Sequence, residues 1–188
     1  RQVPVRDYEA HAPWIARAGS GEDSVLTDEP VIAFEETGGS TSGPKLVPLT
    51  SSGLAEFQAG LKPWLDDLFM SNPALHCGSF YWAISPACRP GRNTSGGTPV
   101  GLGDDAAYFG HALREQIIRT LAVAPDLARF SDITQWRTHT LVQLLAREDL
   151  VMISVWSPSF LTQLLDHAVA QRTELADAMV HSGAASVG

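Results

Sequence analysis

The run LVMISVW at residues 150–156 constrains the fold of this chain more than any other stretch. It is almost continuously apolar and partly β-branched, the pattern of a strand buried on both faces in a parallel sheet. It leads straight into SPSFLTQLLDHAVAQ (157–171), where Ser157 is a predicted helix cap and Pro158 stands at the first helical position. The same order recurs upstream. VIAFEET (31–37), LVPLT (46–50) and SFYWAIS (79–85) read as strands. Helical periodicity marks 7–18, 52–70, 108–121, 124–129 and 134–147. Strands alternating with helices predict an α/β fold, a layered β-sheet with flanking helices, and residues 1–188 are read as a single α/β piece.

Local details sharpen that expectation. Pro48 lacks a backbone donor and places LVPLT at a sheet edge. Thr50 or Ser51 is a candidate cap for the helix at 52–70. Its Leu54, Phe57, Leu61, Trp64, Leu65 and Leu68 form one apolar stripe, with Phe57, Trp64 and Phe69 expected in the core. Pro63 is expected to kink or split this helix. The proline- and glycine-rich residues 86–104 predict loop or a distorted hairpin. The small, polar end HSGAASVG (181–188) reads as loop.

Net charge excludes several functions. A formal charge of -8 over 188 residues argues against nucleic acid or an anionic membrane surface as partner. The two cysteines, Cys77 and Cys88, are too few for a disulfide framework, and no metal-ligand spacing is present. No apolar run reaches the ~18 residues that span a bilayer. A cytoplasmic protein with reduced thiols is the expectation. The chain opens RQVPVRDYEA, without Met and without a signal-peptide core, so Arg1 is read as internal to a longer protein.

Residues 37–45 read TGGSTSGPK and carry the chemistry. Glycines let main-chain N–H groups approach an anion with no Cβ in the way. Ser40, Thr41 and Ser42 add hydroxyl donors, and Lys45 adds a compact positive charge on a long stem. Together they predict a cradle for a polyphosphate. A Walker loop requires Lys directly after its second glycine and then Ser or Thr. Here Pro44 intervenes and Leu46 follows the lysine, so that match fails. A hydrolase elbow would centre on Thr41 and would need a helix after it, where more loop is read instead. The remaining alternative is a plain surface turn between two strands.

The loop resembles the phosphate loop of adenylate-forming enzymes, the superfamily of acyl-CoA synthetases and luciferases. Thr37, Gly39, Ser40, Thr41, Pro44 and Lys45 match, while Gly38 and Ser42 depart from the commoner Ser and Gly. KLVPLT (45–50), FYWAISP (80–86), GGTPVGLGDDAAYFG (96–110) and LVMISVWSPSFLTQLLD (150–166) narrow the resemblance to the auxin-responsive acyl acid–amido synthetase family, as a bacterial member. It runs over most of residues 1–170.

What the resemblance implies is specific. The chain would be part of the N-terminal domain of an ATP-dependent ligase. The enzyme would join a small-molecule carboxylic acid to AMP with release of pyrophosphate, then pass the acyl group to an amine or amino acid. Thr37, Gly39, Ser40, Thr41, Ser42, Gly43 and Lys45 would contact the ATP phosphates, with Mg2+ bridging phosphate oxygens. Val100, Leu102, Tyr108 and Trp156 would line the acyl pocket, against a core-packing alternative for each. The family's Tyr-x-x-x-Glu and Tyr-x-x-Gly-Asp segments and its small C-terminal domain are not found, so the chain is expected to be an inactive piece that self-associates through exposed sheet edges. Alternatives kept open are thioester synthesis and a non-catalytic nucleotide-binding or scaffold module.

Asp104 and Asp105 are read as a turn or a helix cap rather than metal ligands, and His111 with Glu115 as a surface pair. Arg89 and Arg92 are read as solvated, with contact to an anionic substrate as the alternative.

Overall fold

The computed structural model describes residues 4–37, 43–84, 88 and 91–185, excepting the side chains at 111–113, 128–129 and 182–185. Contacts group the chain into two compact units, Arg1–Leu61 with Gly91–Gly103, and Lys62–Pro90 with Asp104–Gly188.

In the first unit, helix α1 (Tyr8–Gly19) starts where the Asp7 carboxylate accepts from Ala10 N at 3.0 Å. Strands β1 (Val31–Glu36) and β2 (Leu46–Thr50) form an antiparallel hairpin, with Glu36 opposite Leu46. Helix α2 (Ser51–Ser71) follows β2 without a break, and the Thr50 hydroxyl accepts from Gly53 N at 3.0 Å. Of the two predicted caps, Thr50 makes the bond.

Helix α2 is continuous through Pro63, where a kink or split was expected. One missing N–H removes a single bond from a ladder that the flanking turns complete. The helix buries none of its residues: Phe57 is 42% and Trp64 46% exposed, so neither is core as expected. Its leucines at 54, 61, 65 and 68 are half-buried instead.

Strand β3 (Ser79–Ala83) lies in the second unit, and β4 (Arg92–Asn93) and β5 (Pro99–Val100) in the first. The last two make the short hairpin expected within 86–104. β5 pairs parallel with β1 through Phe34 and Val100, giving the sheet order β2-β1-β5-β4 with Pro48 on its edge strand, as its missing donor requires. The core of this unit is Phe34, fully buried, with Ile15 and Ala18. Tyr8, Val25, Val31, Leu46 and Val100 pack around it.

The second unit continues with α3 (Gly110–Thr120), α4 (Ile133–Leu145), β6 (Leu150–Val155), α5 (Pro158–Ala170) and α6 (Arg172–Ala185). β3 and β6 pair in parallel, which requires the long helical crossover between them. Asp132 caps α4 by accepting from Gln135 N at 2.7 Å. The core combines Tyr81 and Ala83 of β3 with Ala122, Leu127, Trp136, Leu141, Leu144, Leu164 and Leu175. Trp82 stands edge-on to both Trp64 at 5.7 Å and Phe109 at 4.9 Å.

Two expectations change here. β6 is parallel as predicted but is not buried on both faces, since Val151 is 36% and Ile153 46% exposed. Among the described residues β6 has a strand neighbour on one side only, so alternate side chains face solvent. Of the segment 181–188 expected as loop, residues 181–185 are the end of helix α6 and 186–188 lie outside the described residues; short side chains are compatible with a helix once α6 has nucleated around Leu175, 2% exposed.

Candidate functional site

The glycine-rich loop joins the two strands of a hairpin. Thr37 N donates to Lys45 O at 2.8 Å, and Lys45 N donates to the Thr37 hydroxyl at 3.3 Å. These two residues therefore extend the β1–β2 ladder by one step and close the loop at its base. Gly43 has φ +82°, a backbone state in which a Cβ is strained, so a glycine is required on the return. Gly39, Ser40, Thr41 and Ser42 lie outside the described residues.

This connectivity decides between the loop classes. A Walker loop and a hydrolase elbow both open directly into a helix. Here the loop returns into β2, and α2 begins only at Ser51. The N-terminus of that helix is already engaged: the Glu29 carboxylate accepts from Ser52 N at 3.1 Å and bonds the Ser52 hydroxyl. The Ser52 contacts hold the Glu29 carboxyl below its ordinary range.

Lys45 reaches across to α1. Its Nζ donates to Glu9 Oε1 at 2.9 Å and stands 4.8 Å from the centre of the Tyr8 ring. The Tyr8 hydroxyl accepts from Leu46 N at 3.0 Å and donates to Leu46 O at 3.1 Å, fixing the first residue of β2 from both sides. The bond from Lys45 holds the Glu9 carboxyl below the usual carboxylate range. Tyr8 was read from sequence only as a helix position and Glu9 not at all. Glu9 and Lys45 are 36 positions apart, and no spacing rule could have joined them.

The four predicted acyl-pocket residues divide between the units. In the first, Val100 is half-buried against the Phe34 core and Leu102 is half-buried just beyond it. In the second, Tyr108 is half-buried on the 3-10 turn Asp105–Phe109. Trp156 is 49% exposed, with its ring centre 5.9 Å from that of Phe160.

The remaining candidates have structural partners. Asp104 accepts from Ala107 N at 3.0 Å, the expected cap, and from Arg114 at 2.5 Å, while Asp105 accepts from Ile84 N at 2.9 Å, a contact that was not expected. Arg92 is ion-paired with Glu36 rather than simply solvated. Glu115 pairs with Arg119 at 3.5 Å. Arg89 and the His111 side chain lie outside the described residues. Among the described residues no group of three His, Cys, Asp or Glu could hold a metal ion.

A sheet with flanking helices on a mixed α/β scaffold is the class of fold found in the N-terminal domain of acyl acid amido synthetases. The chain belongs to the GH3 family: its residues 1–186 match the GH3 family N-terminal domain. Among solved structures it is similar to AtGH3.15 acyl acid amido synthetase in complex with 2,4-DB, at 24% identity and a TM-score of 0.77 over 94% of this chain. A second structure, GH3.15 acyl acid amido synthetase, gives 21% and 0.71 over 93%. At these identities the likeness establishes the fold. The chain spans 31% of the length of each. No curated protein matches it.

Proposed function

We propose that this chain carries the ATP-phosphate grip of an acyl acid amido synthetase. The enzyme activates a carboxylic acid as its acyl-adenylate and passes the acyl group to an amine or amino acid. The observation that carries the reading is the Thr37–Lys45 closure, which holds a glycine- and hydroxyl-rich loop between two strands with a lysine at its mouth. Attack of the carboxylate on the α-phosphate leaves growing negative charge on the β- and γ-oxygens. Main-chain N–H groups of Gly39–Gly43, the hydroxyls of Thr37 and Ser40–Ser42, and the Lys45 ammonium are donors suited to that charge. Val100, Leu102, Tyr108 and Trp156 are the apolar surfaces offered to the acid.

Mg2+ accompanies the nucleotide and neutralises phosphate charge. No described helix is long and apolar enough to cross a membrane, and a cytoplasmic enzyme is the location that goes with this reading.

The 188-residue chain alone is expected to give no ATP–pyrophosphate exchange, because the family's ribose and metal segments are not in it. Clear turnover by the isolated chain contradicts this. Binding of ATP without exchange by a longer form containing those segments would favour the non-catalytic module instead.

Val151, Ile153, Trp156, Leu165, Val169 and Val180 are exposed apolar side chains of the second unit. The isolated chain is therefore expected to self-associate. Sedimentation velocity over a concentration series checks this: a single monomeric boundary throughout contradicts it.

A further inference from the structure

Helix α1 presents a carboxylate to the cation on which the proposed phosphate site depends. Glu9 Oε1 takes one of the three N–H donors of Lys45, at 2.9 Å. The lysine side chain is the more covered of the two, 29% exposed against 60% for Glu9. Tyr8 supplies that cover, with its ring below the ammonium and its hydroxyl locked onto both backbone groups of Leu46. Asp7, one residue earlier, caps the same helix. Three consecutive residues thus set the start of α1, the position of the Lys45 side chain and its counter-charge. The lysine is the covered member of the pair, and its anion is the more exposed one that solvent can take up.

We propose that Glu9 is an internal competitor for Lys45: it pairs the ammonium when no anion is bound and yields it to a polyphosphate, while Tyr8 keeps the ammonium at the mouth of the hairpin. This rests on the reading of the hairpin as a phosphate site. A phosphate chain carries more charge than one carboxylate and offers several acceptor oxygens, so it displaces an exposed carboxylate readily. The Glu9–Lys45 pair must break or be shared for this to happen, and its strength is subtracted from the affinity for the anion.

The test is a four-way titration of the protein with inorganic tripolyphosphate at low salt, using wild type, Glu9→Gln, Lys45→Ala and the double variant. Glu9→Gln is expected to tighten binding about two- to fivefold, the range for loss of an exposed ion pair, and the gain should shrink as salt is raised. Lys45→Ala should weaken binding, and adding Glu9→Gln to it should restore nothing, because Glu9 then has no lysine to release. If Glu9→Gln leaves affinity unchanged or lowers it while Lys45→Ala still weakens it, the competitor role is wrong and the phosphate site stands. An equal gain in both backgrounds also overturns the role, since that is only the removal of a nearby negative charge. If wild type and Lys45→Ala bind tripolyphosphate alike, the phosphate reading fails and the inference with it.

Discussion

Replacing Lys45 with alanine in a form that spans the full length of the related synthetases is expected to slow ATP–pyrophosphate exchange by about a hundredfold or more, the scale for removing one donor aimed at developing transition-state charge. Lys45 is the sole cation within TGGSTSGPK, and its backbone is bonded in both directions to Thr37. Those bonds run through main-chain N and O and the Thr37 hydroxyl, so they survive the substitution. The variant should therefore keep its fold and lose the charge alone. Exchange measured at limiting and at saturating ATP separates binding from chemistry. A loss at both concentrations places the lysine on the transition state, whereas a loss confined to limiting ATP assigns it to ground-state binding. Thr37→Val, which removes only a hydroxyl, should fall between wild type and Lys45→Ala.

Alanine at Gly78 is expected to lower the stability of the second unit by about 1–3 kcal/mol or more, the cost of forcing atoms into a packed site. Gly78 precedes β3 where it meets its parallel neighbour. A Cβ there would lie 2.3 Å from Asp149 O and 2.4 Å from a Val151 methyl carbon. The first obstacle is main chain, and Ser79 N is bonded to that same Asp149 oxygen at 2.7 Å. The strands cannot separate locally without losing this bond. Urea unfolding measures the loss. Gly60→Ala is the internal contrast: it sits inside α2 with nothing within 4 Å of a new Cβ. It should raise stability by about 0.5–1 kcal/mol through helix propensity. Similar midpoints for the two variants would show that strand contact at Gly78 does not limit this unit.

The elements that sequence reveals are those whose signals are local. Helix α1, VIAFEE, LVPLT and Pro158 at a helix start appear where periodicity, branching and proline chemistry put them, whereas Ser157 stands at the N-cap position but its hydroxyl bonds that of Ser159 and caps no helix N–H. Parallel pairing of 150–155 was likewise legible from its apolar run. Burial was not, because it depends on what covers a strand, and Val151 and Ile153 are open on one face. The same holds for Phe57 and Trp64, whose helical stripe is real although half of each ring faces solvent. Helix α6 escaped detection because its Ala, Ser and Gly residues carry no apolar period. At the candidate site, the glycine-rich run and its lysine stand out in the sequence, while their proposed role with ATP phosphates comes from the family resemblance. Tyr8 and Glu9, which hold that lysine, are brought to it by the packing of α1 against β2, and no sequence rule encodes a pairing at that distance.

The most direct measurement is a crystal structure of the protein with a non-hydrolysable ATP analogue. The account predicts phosphate oxygens within about 3 Å of Lys45 Nζ and of loop N–H groups, the distance of charge-assisted hydrogen bonds, with Glu9 turned away. A triphosphate bound elsewhere, with Lys45 still on Glu9, would contradict it.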